Sequence, residues 1–136
     1  MDETQSATAE NNYPLCASDA LVNAGLGVRF WVQTPREIVP AFVIRYFGRV
    51  YAYRNACAHV SVELDWQPGM FFDFGGMNIV CALHGAWYAP DSGACLGGPC
   101  KGAKLQKIPV HEQDGMVYSA WPIMAPPPTV PPPTKI

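Results

Sequence analysis

The stretch Cys57-Ala58-His59, followed by Cys81-Ala82-Leu83-His84, constrains this chain more than any other feature. Each stretch puts one sulfur and one imidazole a residue or two apart on a tight loop. Two such loops facing each other supply two thiolates and two imidazoles, a complete shell for a small metal centre. The chain has only 3 His and 5 Cys, so the pattern uses a large share of its soft and borderline ligands.

Thiolate is soft and imidazole borderline, so this donor set suits zinc or an iron–sulfur cluster. Structural zinc sites usually pair Cys with Cys and then His with His. Here each loop is mixed, and one spacing is a single residue. That pattern serves a cluster with two inequivalent irons, each loop giving its Cys to one iron and its His to the other. At these residues the sequence resembles the Rieske [2Fe–2S] family, and the likeness runs on. Gly85 follows the second His as in the family's C-x-x-H-G loop, and Asp91-Ser92-Gly93 makes a turn. Gly97-Gly98-Pro99 stands at the family's proline loop, and Leu105-Gln106-Lys107-Ile108-Pro109-Val110 matches the strand returning to the base of the fold.

The resemblance covers about residues 21–122 and implies an all-β, Rieske-like fold of antiparallel sheets: a base domain plus a small cluster-binding lobe, about residues 55–101, with two ligand loops. It implies one [2Fe–2S] cluster per chain, with Cys57 and Cys81 on the buried iron and His59 and His84 on the outer one. Rieske proteins of respiratory and photosynthetic cytochrome complexes carry a disulfide-forming Cys in each loop, where this chain has Val62 and Leu83. Ala86 replaces the loop serine, while Tyr88 keeps the family's tyrosine. These departures resemble the soluble, lower-potential ferredoxin branch. Charge counting agrees with a cluster easier to reduce than a four-Cys one: two ferric ions, two sulfides and two thiolates sum to zero when the imidazoles are neutral. His-ligated centres span about −150 to +300 mV, and this one is expected toward the low end.

The net charge of −2 gives no basis for binding nucleic acid or an anionic membrane. No run approaches the length of a membrane span. The opening Met1-Asp2-Glu3 lacks a basic, apolar leader pattern, and a reducing, cytoplasmic compartment is expected. In that setting Cys95 and Cys100, flanking the Gly-Gly-Pro turn, are read as free buried thiols, and Cys16 as a bystander.

Residues 1–20 are read as a flexible acidic tail, residues 21–122 as the single domain, and residues 123–136, with two Pro-Pro-Pro runs, as an extended tail. Val28, Phe30 and Val32 alternate with Arg29, Trp31 and Gln33, which is strand periodicity. Residues 38–47 form a second strand, with Pro40 early, where an edge strand or strand start tolerates it. Phe47-Gly48-Arg49 turns into a returning strand that delivers the chain to Cys57. Trp66, Phe71, Phe72 and Phe74 are read as core of the cluster lobe, and Asn78-Ile79-Val80 as a short buried strand. Trp87-Tyr88-Ala89 is a further short strand, with residues 96–102 a loop. Residues 105–111 and 116–121 are read as a final hairpin, with His111 a surface strand residue.

The function expected is one-electron transfer from a flavin-dependent reductase to a terminal oxygenase or similar oxidoreductase, by a protein that is not itself an enzyme and has no catalytic residues. An oxygenase needs a second iron on two more His and a carboxylate, and only His111 remains. No dinucleotide-binding glycine fingerprint follows a strand. Three alternatives stay open: a small Rieske subunit of a larger oxidoreductase, a structural zinc module, and a Cys–His nucleophilic enzyme. Glu63, Asp65, Asp73 and Asp91 fall in the cluster segment, either as solvated loop charges or as a steering surface for a basic partner.

Overall fold

The computed structural model describes residues 12–57, 63–65, 67–81, 85–99 and 102–125. His59, Val60, Val62, Trp66, Leu83, His84 and Cys100, with the acidic start and the Pro-Pro-Pro runs, lie outside them. Within them the chain is built of strands: β1 (Tyr13–Ala17), β2 (Val28–Gln33), β3 (Ile38–Tyr46), β4 (Arg49–Arg54), β5 (Ile79–Val80), β6 (Trp87–Tyr88), β7 (Cys95–Gly97), β8 (Lys107–Ile108), β9 (Val110–Gln113), β10 (Met116–Ser119) and β11 (Ile123–Met124).

β11, β2, β3, β4 and β8 form one antiparallel sheet in that order, and β3 runs through its middle. The two-residue period divides this sheet between two cores. Val39, Ala41 and Val43 of β3, with Phe30, Val32, Ala52 and Ile108, share one core with Leu21 and Val117. A second sheet, ordered β1-β10-β9, contributes to that side. Phe42 and Ile44 of β3, with Tyr53 of β4, enter the other core with Leu64, Phe71, Ile79 and Leu105. That core belongs to the lobe carrying the third sheet, β5-β6-β7.

The expected hairpin closes as a two-residue turn in which Phe47 (φ 47°) and Gly48 (φ 82°) are both left-handed, the type that matches strand twist. Asn23 Oδ1 accepts the Gly48 N–H at 2.7 Å. Pro40 lies within the central strand rather than on an edge. Its carbonyl accepts from the Asn55 N–H at 2.8 Å, and the reciprocal bond its missing N–H forgoes falls where β4 has ended.

Four expectations need correction. The fold starts before residue 21: Tyr13–Ala17 pairs with β10. It also continues past residue 122, since Ile123 and Met124 pair with Val32 and Trp31. Pro109 splits residues 105–111 between two sheets, with β8 against β4 and β9 against β10. Cys95–Gly97 is a strand against β6, where a loop was expected from residue 96.

Candidate metal centre

Cys57 is delivered by the end of β4 and held by a buried amide. The Asn55 side chain is 1% exposed; its Oδ1 accepts the Leu64 N–H at 2.8 Å, and its Nδ2 donates to Asp65 Oδ1 at 3.1 Å. One asparagine thus ties together both ends of the segment that carries the first ligand pattern. Asp65 in turn accepts the Gly69 N–H at 2.9 Å and pairs with Arg29 Nε at 3.4 Å, its own side chain 1% exposed. Arg29 also meets Glu63 at 2.7 Å. Asp65 is therefore a buried structural anchor, and the two acids nearest the first loop are already paired. Asp73 caps its own turn, accepting the Met77 N–H at 3.1 Å.

Cys81 is delivered by β5. The Gly85 N–H donates to the Cys81 carbonyl at 2.9 Å, and the Cys81 N–H to the Ala86 carbonyl at 2.8 Å. These bonds extend the β5–β6 ladder, in which Val80 pairs with Trp87, and close the Cys-x-x-His-Gly stretch as a hairpin loop. The proline-loop stretch packs on this hairpin. A Cβ on Gly98 (φ 89°) would stand 2.8 Å from Ala86 Cα and 3.1 Å from the Gly85 carbonyl oxygen, so only glycine fits there.

Cys57 (4% exposed) and Cys81 (0%) enter the same core, beside Tyr88, Ala86, Leu64 and Phe71. The Tyr88 hydroxyl lies 3.3 Å from Cys57 Sγ. A thiolate in so apolar a setting needs a compensating cation, and a metal centre supplies one while the hydroxyl donates to the sulfur. Two buried sulfurs from separate loops, with apolar walls and a hydroxyl donor, fit an iron–sulfur cluster. Among the described residues no three His, Cys, Asp or Glu side chains gather as a metal-binding group. The expected His59 and His84 lie outside those residues, so the described part of the candidate site is the cysteine pair and its surroundings.

Several other side chains fall into place. Cys95 is disulfide-bonded, which corrects its reading as a free thiol; its sulfur, 3.2 Å from the Gly97 carbonyl oxygen, then has no proton to donate. Cys16 is a free, half-buried thiol on β1, its pKa pushed up by burial. His111 sits on β9 against Tyr118, ring centroids 5.3 Å apart. Phe71 stacks on Phe42 at 3.9 Å, as core packing requires, but Phe74 is fully exposed. Tyr53 donates its hydroxyl to the Pro90 carbonyl at 2.7 Å, and burial raises its pKa. Asn55 and Tyr53 position the site, and sequence reasoning passed over both. The available signal was a short amide two residues before Cys57.

A family model described as the Rieske [2Fe-2S] domain matches residues 11–114. No curated protein matches the chain significantly. Among solved structures, the ferredoxin of carbazole 1,9a-dioxygenase from Nocardioides aromaticivorans IC177 superposes with a TM-score of 0.62 at 22% identity, covering 80% of this chain and 96% of that one. The Sphingomonas yanoikuyae B1 ferredoxin gives 0.58 at 24% identity, covering 80% and 97%. The reduced complex between oxygenase and ferredoxin in carbazole 1,9a-dioxygenase gives 0.62 at 21% identity, covering 87% of this chain and 30% of that one. These likenesses show the fold, and the family model spans most of the chain, both ligand stretches included: the chain belongs to the Rieske [2Fe-2S] domain family.

Proposed function

We propose that the chain is a one-electron carrier, a Rieske-type ferredoxin in which Cys57, His59, Cys81 and His84 hold one [2Fe–2S] cluster. The observation that carries this reading is the burial of Cys57 and Cys81, each followed by a His within its own short loop, in a single apolar core under Tyr88. The cluster, when bound, supplies a reversible one-electron couple. The chain's own residues set the conditions for it. Leu64, Phe71 and Ile79 exclude water from the cysteine side, and the Tyr88 hydroxyl donates to the Cys57 sulfur. Ala86, fully buried, offers no hydroxyl where the family's serine would donate. With one such donor missing, the potential falls toward the low end of the His-ligated range.

In this reading the electron arrives from a flavin-dependent reductase and leaves for a terminal oxygenase or similar oxidoreductase. The names of the ferredoxin neighbours, from a dioxygenase system, support the second partner. The chain itself performs no catalysis. Its setting is the reducing cytoplasm, where the Cys95 disulfide survives only if burial shields it from thiols; Cys95 is 9% exposed. No described helix is long and apolar enough to cross a membrane.

The test is iron and acid-labile sulfide on anaerobically purified protein, with an EPR spectrum after dithionite reduction. Two irons and two sulfides per chain, with the lowered average g-value of a His-ligated cluster, are expected. A colourless, zinc-loaded and EPR-silent protein, even when expressed with ample iron, would overturn the carrier reading.

A further inference from the structure

Arg29, Arg45 and Arg54 each pair with a carboxylate, but their guanidinium groups are satisfied unequally. Arg45 donates to the carbonyls of Leu21, Gly48 and Ser18 and to both oxygens of Glu112. Arg29 meets both Glu63 and Asp65. The Arg54 guanidinium makes a single hydrogen bond among the described residues, from Nη1 to Glu37 Oε2 at 3.2 Å. That carboxylate is a loose partner, its side chain 55% exposed. Arg54 Nε is buried with no hydrogen-bond partner among the described residues. A guanidinium carries five N–H donors in a fixed fork, and leaving most of them without an acceptor in a part-buried position is costly.

Arg54 lines a cavity of about 410 Å³ together with Thr34, Arg36, Glu37, Gln106 and Trp121. Its walls are held in place. Thr34 Oγ1 accepts the Arg36 and Glu37 N–H groups at 3.1 and 3.0 Å and donates to the Glu37 carbonyl at 2.9 Å. On the other side, the Arg54 N–H donates to the Gln106 carbonyl at 2.9 Å. Two cations and one anion line the cavity, so it carries an excess of positive charge in a recess of small-molecule size. We propose that this recess binds a small oxyanion, the carboxylate or phosphate of a small molecule, with the Arg54 and Arg36 guanidinium groups as its donors. The planar fork of a guanidinium matches two oxygens of either group. Glu37 is the competing anion, which holds Arg54 until the ligand displaces it. The site lies apart from Cys57 and Cys81 in its lining, and its occupancy is read without reference to electron transfer.

The full, metal-loaded chain is titrated with inorganic phosphate in one arm and benzoate in the other, at an ionic strength held constant with sodium chloride. Proton–nitrogen correlation NMR follows the binding. Expected is a saturable shift of the Arg36 and Glu37 amides and the Trp121 indole N–H with at least one anion, and the arm that saturates names the oxyanion. The amide of Arg49, an exposed arginine at the far end of β4, should stay still. Arg54→Gln should weaken binding roughly tenfold or more. Arg36→Gln, at an exposed position, should weaken it roughly two- to fivefold and keeps the test open if Arg54→Gln folds poorly. Glu37→Gln removes the competitor and should tighten binding roughly two- to fivefold, a sign that mere loosening of the turn would not give. Shifts that stay linear in both arms, shifts as large at Arg49, or a Glu37→Gln variant that binds no more tightly than wild type would each overturn the proposal.

Discussion

Tyr88 is the described side chain that bears most directly on electron transfer. Its hydroxyl lies 3.3 Å from Cys57 Sγ in a site from which water is excluded. In the proposed cluster Cys57 would be a thiolate without a proton, and the hydroxyl would then be the donor. The bond strengthens as negative charge builds up on reduction, and so it favours the reduced state. Tyr88→Phe should therefore lower the midpoint potential. A bond worth roughly 1 kcal/mol corresponds to roughly 40 mV for one electron, within reach of protein-film voltammetry. A rise, or no change, would mean that the hydroxyl does not act on the sulfur. A second residue-scale prediction concerns Glu112, which receives both Arg45 guanidinium nitrogens, at 2.5 and 3.0 Å. Arg45 also donates to the carbonyls of Leu21 and Gly48, fixing the pair in place. The hydrogen bonds from Arg45 hold the Glu112 carboxyl below the usual glutamate value. A depressed carboxyl stabilises the fold above the unfolded-state pKa, and that contribution is lost as pH falls through the folded one. Glu112→Gln should cost about 1 kcal/mol at neutral pH. In urea titrations its deficit should shrink between pH 5 and pH 3, an acid range taken from the ordinary glutamate value of about 4.3.

At the scale of elements, the first ligand loop is held by side-chain bonds and the second by backbone ones. Asn55→Ala removes the acceptor of the Leu64 N–H and a donor to buried Asp65. Leaving these groups unsatisfied should cost roughly 2–3 kcal/mol, read as a lowered urea midpoint, with loss of iron ahead of unfolding. Retention of iron up to the unfolding midpoint would show that the loop closes without the amide. This contrast also explains what was legible. β2 alternates in burial, so its periodicity was visible in the sequence, whereas β3, buried without a break over residues 41–44 because both its faces meet a core, was visible as an apolar run instead. β5, β6 and β8 have two residues each, too few to show a period, and were found only where a ligand motif or a returning strand marked them. β1 was missed because Pro14 and a register irregularity between Pro14 and Cys16 obscure its pairing with β10. Pro109 was read as part of one strand, although it ends one ladder and lets the chain enter another. Cys57 and Cys81 stood out in the sequence because metal chemistry favours such residue types and spacing, and the structure brings both into one core. The state of Cys95 did not stand out, since thiol and disulfide differ only in where another sulfur lies.

The whole molecule is organised by β3, whose alternate residues feed both cores from one strand. Phe42 faces the cluster lobe and stacks on Phe71 at 3.9 Å, while Val43, the next residue, packs on Ala41, Ala52 and Ile108 in the opposite core. Base and lobe therefore pack on opposite faces of one shared sheet and are not two bodies joined by loops. Phe42→Ala opens a void beside Phe71, Tyr53 and Ile44 and should cost roughly 3–5 kcal/mol. If the cores are one cooperative unit, the loss appears in both at once. Visible absorption of the bound centre and far-UV circular dichroism of the sheets should fall in a single, coincident urea transition in wild type and variant alike, at a lower midpoint in the variant. Val43→Ala removes less side chain from the other face and should move the same coincident transition by less. Bleaching of the centre well before the sheets melt in Phe42→Ala, with Val43→Ala leaving the centre untouched, would mean that the lobe unfolds alone. That result would contradict two cores coupled through β3.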